Sequence, residues 1–307
     1  SYIGILSVIN PIMGLAETVN GLHNGNHRAT VSEAYFNEKH NYAEYVLSNG
    51  FRTIGQVSFL VIPLVILLAP TIVDAFFHDY YGTFMRVFAI KLVHSTIFQH
   101  SHLMNEVLIG TGNHKFNVII TVAEQITGMI AIITCIYFQL GIFVLIIPGF
   151  FSTGVKQGIG WIYITTKIIN LHFNPWQMWI STALSGLIYY FFISSLLSLL
   201  TMLFGSALWA AIACIVLGIY VLPGIGYFLP LGFLGGYDKN TLEDFKTAVE
   251  LSGPSKLIIK LWLKGASLGA KFSFLHDKFP MYYDNVGKEI EELSMMKMSV
   301  DTKGNGN

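Results

Sequence analysis

The sequence predicts an all-α protein, a polytopic transmembrane helix bundle with a cytoplasmic amphipathic tail. Of the 307 residues, 53% are hydrophobic and only 12% are charged, against roughly 25% charged in an ordinary soluble domain. Residues 171–237 contain no Asp, Glu, Lys or Arg, and such a stretch is too long and too apolar for one buried helix of a soluble core. Twenty of the 36 charged residues lie in residues 237–307. We therefore predict a membrane domain over residues 1–236 and a separate tail over residues 237–307.

The apolar windows predict seven spans. A helix needs about 20 predominantly apolar residues to cross about 30 Å of hydrocarbon. Windows of that length cover approximately residues 2–21, 54–78, 83–109, 116–138, 141–168, 176–203 and 206–235. Long, continuous apolar runs favour helices over a β-barrel, whose strands alternate apolar and polar positions. The polar residues 22–53, between the first two spans, predict an interfacial amphipathic helix.

Positive charge concentrates on alternate predicted loops. One side of the bundle collects Arg28, Lys39, Arg52, Lys115, Lys167 and the ten lysines of the tail. The other side has only Arg86. Because cytoplasmic loops keep positive charge, we predict a cell-membrane protein with a cytoplasmic C-terminus and an external Ser1. An external start in an apolar run, without a signal peptide, indicates a fragment or a processed chain that lacks N-terminal sequence.

The tail carries two helix signals. Thr241 and Asp244 have the spacing of a capping box, and the helix that follows should end near Gly253-Pro254. In the next run, SKLIIKLWLKGASLGAKF, every fourth residue among the apolar ones is a lysine, namely Lys256, Lys260 and Lys264. This pattern predicts a basic amphipathic helix that binds anionic membrane lipids.

Polar side chains within the predicted spans mark the candidate site. At 100° per residue, one arc of roughly 140° on the third span holds Lys91, His94, Ser95, Gln99, His102, Asn105 and Glu106. The fourth and fifth spans have polar stripes that include Glu124 and Lys156. Ionisable groups inside spans usually face a protein interior or a water-filled cavity.

These stripes predict a polar cavity along spans three to five. In this interpretation Lys91 and Lys156 offer cations to an anionic substrate, and His94, Gln99 and His102 are further substrate-binding candidates. The alternative is that Lys91 pairs with a neighbouring acid and that the stripes only hold the helices together.

The sequence lacks the residue patterns that are typical of several other classes of function. A formal net charge of zero gives no general electrostatic footprint for nucleic acid. There is no Walker A loop, no Gly-x-Ser-x-Gly elbow and no Asp-rich metal-diphosphate motif. His100 projects away from His94 and His102, and no second span supplies a His or Cys set. We therefore predict no enzymatic activity, no metal, no cofactor and no nucleic-acid partner.

Three segments carry a family resemblance. The run SVINPIMGLAETVNGL precedes TVSEAYFNEKHNYAEYVLSNGFR, LIGTGNHKFN covers residues 108–117, and LGGYDKNTLEDFKTAVELSG opens the tail. Together they resemble polysaccharide-type flippases, in particular archaeal members, of the multidrug, oligosaccharidyl-lipid and polysaccharide exporter superfamily. In that family a Pro-containing helix is followed by Pro-x-x-Ser-Glu. Here Val31 directly precedes Ser32-Glu33, and the usual Pro is absent.

The resemblance implies a fold and a function. The seven spans would be the eighth to fourteenth of a two-lobe exporter, that is, the C-terminal lobe plus two extra spans, with the missing N-terminal lobe as a partner. The substrate would be a polyprenyl-phosphate-linked oligosaccharide or polysaccharide precursor, flipped from the cytoplasmic to the external leaflet by alternating access. By this likeness Arg52, Lys91 and Lys156 are the positions that would bind the lipid diphosphate.

Two alternatives stay open. One is a cation- or proton-coupled multidrug antiporter of the same superfamily, with Glu106 or Glu124 as the coupling carboxylate. The other is a non-transporting membrane scaffold of a glycan-assembly complex, whose cytoplasmic tail binds a partner.

Overall fold

The computed structural model describes residues 9–11, 14, 24–77, 81–281 and 285–304, and all regular structure among them is helical. The predicted first span, residues 2–21, therefore lies almost wholly outside the described residues. The α-helices are α1 (Asn24–Phe36), α2 (His40–Phe77), α3 (Tyr81–Ile97), α4 (Ser101–Gly110), α5 (His114–Tyr137), α6 (Ile147–Tyr163), α7 (Ser181–Phe204), α8 (Ala207–Tyr220), α9 (Leu229–Phe233), α10 (Lys239–Leu251), α11 (Lys256–Phe272) and α12 (Val286–Gly304). Short 3₁₀ or π-helical turns lie at Gly141–Leu145, Ile164–Ile168, Trp176–Ile180, Gly224–Phe228 and Gly253–Ser255.

Among the described residues, four helical segments are long and apolar enough to cross a membrane. They are His40–Ala75, His114–Tyr137, Gly141–Ile168 and Trp176–Phe204. The pair Ala207–Tyr220 and Gly224–Phe233, bent by 61°, makes a fifth if it forms one span. The all-α membrane class is thus confirmed for the described part of the chain, and the predicted fourth to seventh spans agree with these bounds within a few residues. A total of seven spans is not confirmed.

The predicted third span, residues 83–109, is two helices rather than one. Helix α3 ends at Ile97 and α4 begins at Ser101. At the break, His100 Nε2 hydrogen-bonds Phe51 O at 3.2 Å, and the two rings lie 4.5 Å apart. Such a contact between residues distant in sequence cannot be predicted from hydropathy or periodicity.

Helix α2 begins much earlier than the predicted second span. Only α1 is a separate helix within the predicted interfacial segment 22–53, because residues 40–53 already belong to α2. The early polar residues of α2 are buried by protein: Glu44, Ser48 and Arg52 are each at most 5% exposed. Burial of these side chains lets α2 extend into the segment for which the sequence predicts a separate interfacial helix.

The chain forms two compact units. The first comprises Ser1–Asn20, Arg52–Gln99 and Asn174–Met281, and the second comprises Gly21–Phe51, His100–Phe173 and Tyr282–Asn307. Both α2 and the α3–α4 break therefore contribute residues to each unit. The predicted boundary after residue 236 concerns which part lies in lipid, and it stays a prediction.

In the first unit, α11 packs closely against the segment that contains α9. A Cβ at Gly265 would lie 1.9 Å from Gly224 O, and one at Gly269 would lie 2.1 Å from Leu229 O. Small residues allow helix backbones to approach in this way. The unit's core contains the fully buried Tyr189, whose hydroxyl donates to Gly218 O.

The start of α10 differs from the predicted cap. Asp238, not Thr241, is the N-cap: its carboxylate accepts from Thr241 N at 2.8 Å, and the Thr241 hydroxyl accepts from Asp238 N at 2.9 Å. The capping box is thus placed three residues earlier than Thr241–Asp244. The end of α10 at Leu251 confirms the predicted stop near Gly253-Pro254.

In the second unit, α12 lies at the start of α2. Glu289 accepts hydrogen bonds from Asn41 Nδ2 at 2.6 Å and from Tyr42 N at 2.7 Å. Glu292 forms an ion pair with Lys39. A carboxylate at a helix N-terminus satisfies backbone N–H groups that have no partner within the helix.

Candidate functional site

The polar stripes of α5 and α6 meet in the second unit. Lys156 Nζ lies 2.8 Å from Glu124 Oε2, a distance at which the ammonium donates a hydrogen bond to the carboxylate. Their side chains are 14% and 19% exposed. Both helices belong to segments apolar enough to span a membrane. The structure therefore brings together two of the residues that the sequence singles out.

Further polar contacts accompany this pair along the same two helices. Tyr163 donates its hydroxyl hydrogen to Asn113 Oδ1 at 3.0 Å, and its ring stacks on Phe116 with centroids 3.7 Å apart. Asn113 directly precedes α5, and Tyr163 is the last residue of α6. Tyr163 follows Lys156 by seven residues, so both side chains lie on one face of α6. The interface between α5 and α6 thus contains polar contacts at more than one position along the helices.

An apolar cavity of about 310 Å³ lies between the same helices. It is lined by Thr127, Ile130, Ala131, Thr134, Cys135, Leu140, Ile147 and Phe151. Thr127 follows Glu124 by three residues, about one helical turn. The α5–α6 pair therefore offers a cation and a hydrocarbon-lined space in neighbouring turns.

The stripe residues of α3 lie in the first unit. Lys91 Nζ donates to Asn10 Oδ1 at 2.5 Å, and the His94 ring lies 4.9 Å from that of Phe98. Gln99, in the break after α3, is buried, at 4% exposure. Lys91 and Lys156 thus belong to different units, and their sharing of one cavity stays a prediction.

The stripe residues of α4 lie in the second unit. His102 is exposed, whereas Glu106 Oε2 lies 3.9 Å from Arg28 Nε. From the sequence, Arg28 contributes only to the predicted membrane orientation. Its contact with Glu106 is not evident there, because α1 and α4 are far apart along the chain. Their pairing needs the packing of α1 on α4, which periodicity does not predict.

Arg52 is buried in the first unit. Its guanidinium carbon lies 5.3 Å from the centroid of the Tyr237 ring, within cation–π distance. Tyr237 in turn donates to Gln56 Oε1 at 3.1 Å. Burial raises the pKa of Tyr237, while the Arg52 charge and the Gln56 hydrogen bond oppose the rise. The phenol is therefore neutral, and the sequence singled out neither Tyr237 nor Gln56.

Two other polar contacts, each with a buried acidic side chain, could not be named from the sequence. Glu44 Oε1 accepts from both N and Nδ1 of His172 at 2.6 Å in the second unit. In the first unit, Gln177 Nε2 donates to Asp238 Oδ2 at 3.0 Å. In the part of the chain that the structure describes, no three His, Cys, Asp or Glu side chains are grouped as metal ligands.

The described residues form an all-helical protein with several segments apolar enough to cross a membrane and an ion pair between two of these segments. No family model, curated protein or solved structure matches the chain.

Proposed function

We propose that the protein is a membrane transporter that flips a polyprenyl-phosphate-linked oligosaccharide or polysaccharide precursor from the cytoplasmic to the external leaflet. The observation that carries the proposal is the Glu124–Lys156 ion pair between two apolar helices. Ionisable side chains at membrane depth are costly, and they commonly mark substrate or ion pathways.

Stability alone gives a poor account of this pair. Removing two charges from water costs several kcal/mol per ion, and replacing a buried ion pair by apolar residues of similar size is often neutral or stabilising. A lysine whose charge is balanced at that cost by one carboxylate can exchange this carboxylate for another anion. In the proposed mechanism, the substrate phosphate replaces the Glu124 carboxylate at Lys156 Nζ.

The surroundings of the pair suit an amphiphilic substrate. The apolar cavity between α5 and α6 accommodates part of an isoprenoid chain, and the cation binds the phosphate at its head. The outward face of α5 is apolar, with Val118, Ile126 and Ile133 each more than half exposed. This face leaves the rest of the hydrocarbon chain in lipid while the glycan follows a polar route.

The proposal includes the predicted orientation and lobe organisation. The C-terminal tail lies in the cytoplasm because lysines accumulate there. The family resemblance implies that the described helices act as one lobe of a two-lobe exporter and that a second lobe completes the alternating path. Arg52 and Lys91 then contribute further positive charge in the first unit.

The test removes the charge pair without leaving one charge unpaired. In the double variant Lys156→Met/Glu124→Gln, we expect binding of a fluorescent polyprenyl phosphate to the purified protein to weaken about tenfold, the loss of about 1.4 kcal/mol of charge-assisted contact. Flipping of the lipid-linked saccharide in reconstituted vesicles should fall with it.

The matched control is an exposed ion pair in the tail. Lys246 Nζ lies 3.3 Å from Glu243 Oε1 on α10, and Lys246→Met/Glu243→Gln should leave binding and flipping unchanged. If both double variants flip the substrate at the wild-type rate, the Glu124–Lys156 pair is only a contact between helices and the proposed site is wrong.

The Glu124–Lys156 geometry also favours a second candidate, a proton-coupled multidrug antiporter. A proton transferred to Glu124 would break its ion pair with Lys156, which couples protonation to the α5–α6 interface. Glu106 is a less direct candidate because its partner, Arg28, is more than half solvent-accessible. Drug efflux that depends on an imposed proton gradient, and that loses this dependence in Glu124→Gln, would favour the antiporter over the flippase.

A further inference from the structure

Helix α11 is amphipathic, but its buried side is formed by small residues and not by the large apolar side chains that alternate with its lysines in sequence. Its buried side consists of small residues packed against the protein, namely Gly265, Ala266, Gly269 and Ala270. Trp262 Nε1 donates to Tyr220 O at 3.3 Å, at the end of α8. Helix α11 is thus fixed against the end of α8 and the chain that follows it.

The opposite side of α11 is exposed and carries two parallel stripes. Projected at 100° per residue, the lysine stripe covers about 80° and the adjoining apolar stripe about 60°. The lysine stripe consists of Lys256, Lys260, Lys264 and Lys271, all exposed. The apolar stripe consists of Leu257, Leu261, Leu268 and Phe272, which are 37% to 81% exposed. Helix α11 contains no Asp or Glu.

We propose that this exposed side of α11, the lysine stripe together with the apolar stripe, is a binding surface for anionic phospholipids. The four ammonium groups contact lipid phosphates, and the four apolar side chains enter the boundary between headgroups and acyl chains. The Gly-Ala face keeps α11 attached to the protein, so the surface is a rigid part of the first unit. This inference does not depend on the proposed transport activity.

Charge and composition favour a lipid surface over a protein partner. An acidic protein would match the lysines but would leave the neighbouring apolar stripe to be covered separately. An anionic leaflet satisfies both stripes at once, because phosphates and acyl chains are adjacent along its normal. Phe274, 69% exposed two residues beyond α11, extends the apolar stripe.

The first test measures lipid affinity. A fluorescent phosphatidylglycerol is titrated into the full chain in neutral detergent micelles, with fluorescent phosphatidylcholine as the reference lipid. We expect the variant with all four stripe lysines changed to Gln to bind phosphatidylglycerol at least about tenfold more weakly. The matched control changes four other exposed lysines to Gln, namely Lys115, Lys239, Lys246 and Lys288. It should stay within about twofold of wild type, since those lysines lie outside the stripe.

The second test locates the apolar stripe. Cys135 and Cys214 are buried, so a dye attached to Leu268→Cys reports on that position. In nanodiscs that contain phosphatidylglycerol, its emission should shift to the blue and be quenched by nitroxide on lipid chains. Equal phosphatidylglycerol affinities in the two lysine variants, or a dye that stays in water with anionic lipid present, would overturn the proposal. Water exposure of the dye is the result expected of a surface reserved for an acidic protein.

Discussion

The carboxylate of Asp238 accepts three hydrogen bonds in the first unit. The donors are Thr241 N at 2.8 Å, Met281 N at 2.9 Å and Gln177 Nε2 at 3.0 Å. The residue is 3% exposed. One side chain therefore caps α10 and joins it both to the chain after α11 and to the turn before α7.

Removal of this carboxylate should be costly. We expect Asp238→Ala to lower the free energy of unfolding by about 3 kcal/mol, because it removes an N-cap and leaves buried donors unsatisfied. Thermal or SDS unfolding of the purified protein in detergent measures the change. The control is Asp277→Ala: Asp277 is exposed and accepts from Lys239 N, and its loss should cost less than about 1 kcal/mol. Equal losses in the two variants would refute the role assigned to Asp238.

At the scale of elements, α12 is held at the start of α2 partly by the Lys39–Glu292 ion pair. The hydrogen bond and the charge of Lys39 lower the pKa of Glu292 below its ordinary value of 4.5. The folded state therefore favours the ionised carboxylate. This stabilisation is complete above the ordinary pKa and is lost as the pH falls through the lowered value.

We expect α12 to loosen from α2 as the pH drops below about 4.5. Hydrogen exchange of the α12 amides, corrected for the intrinsic effect of pH, should show protection at pH 7 that declines over this acidic range. Glu292→Gln should lower protection already at pH 7 and flatten its pH dependence. Glu291→Gln, at an exposed neighbouring position, should behave like wild type. The same acid response in Glu292→Gln and wild type would contradict the assignment.

The helices were predictable from the sequence where composition alone decides them. Long apolar runs predicted α5, α6 with its flanking turns, and α7 within a few residues, and the lysine pattern predicted α11. Contacts distant in sequence were not predictable: His100 bonds Phe51 O where a continuous third span was expected, and Glu44 is buried within α2. At the site, Glu124 and Lys156 could be named from their positions in apolar helices. Their pairing, and the partners Arg28 and Tyr237, required the packing.

At the scale of the whole molecule, the positively charged side chains named above occur in two environments, one buried or partly buried and one exposed. Each unit contains buried or partly buried cations, with Arg52 and Lys91 in the first and Lys156 in the second. The tail contributes exposed lysines on α11 in the first unit. The proposed phosphate site on α5 and α6 is therefore distinct from the proposed lipid-binding surface on α11.

Transport itself is the central claim, and leaflet accessibility tests it most directly. The purified chain, with its second lobe where one is required, is reconstituted into vesicles with a fluorescent polyprenyl-diphosphate-linked saccharide, and a membrane-impermeant reductant bleaches the outer leaflet. We predict that the protein makes inner-leaflet probe accessible to the reductant, while a fluorescent phosphatidylcholine stays protected. Protection of the saccharide-linked probe equal to that in protein-free vesicles would contradict the account.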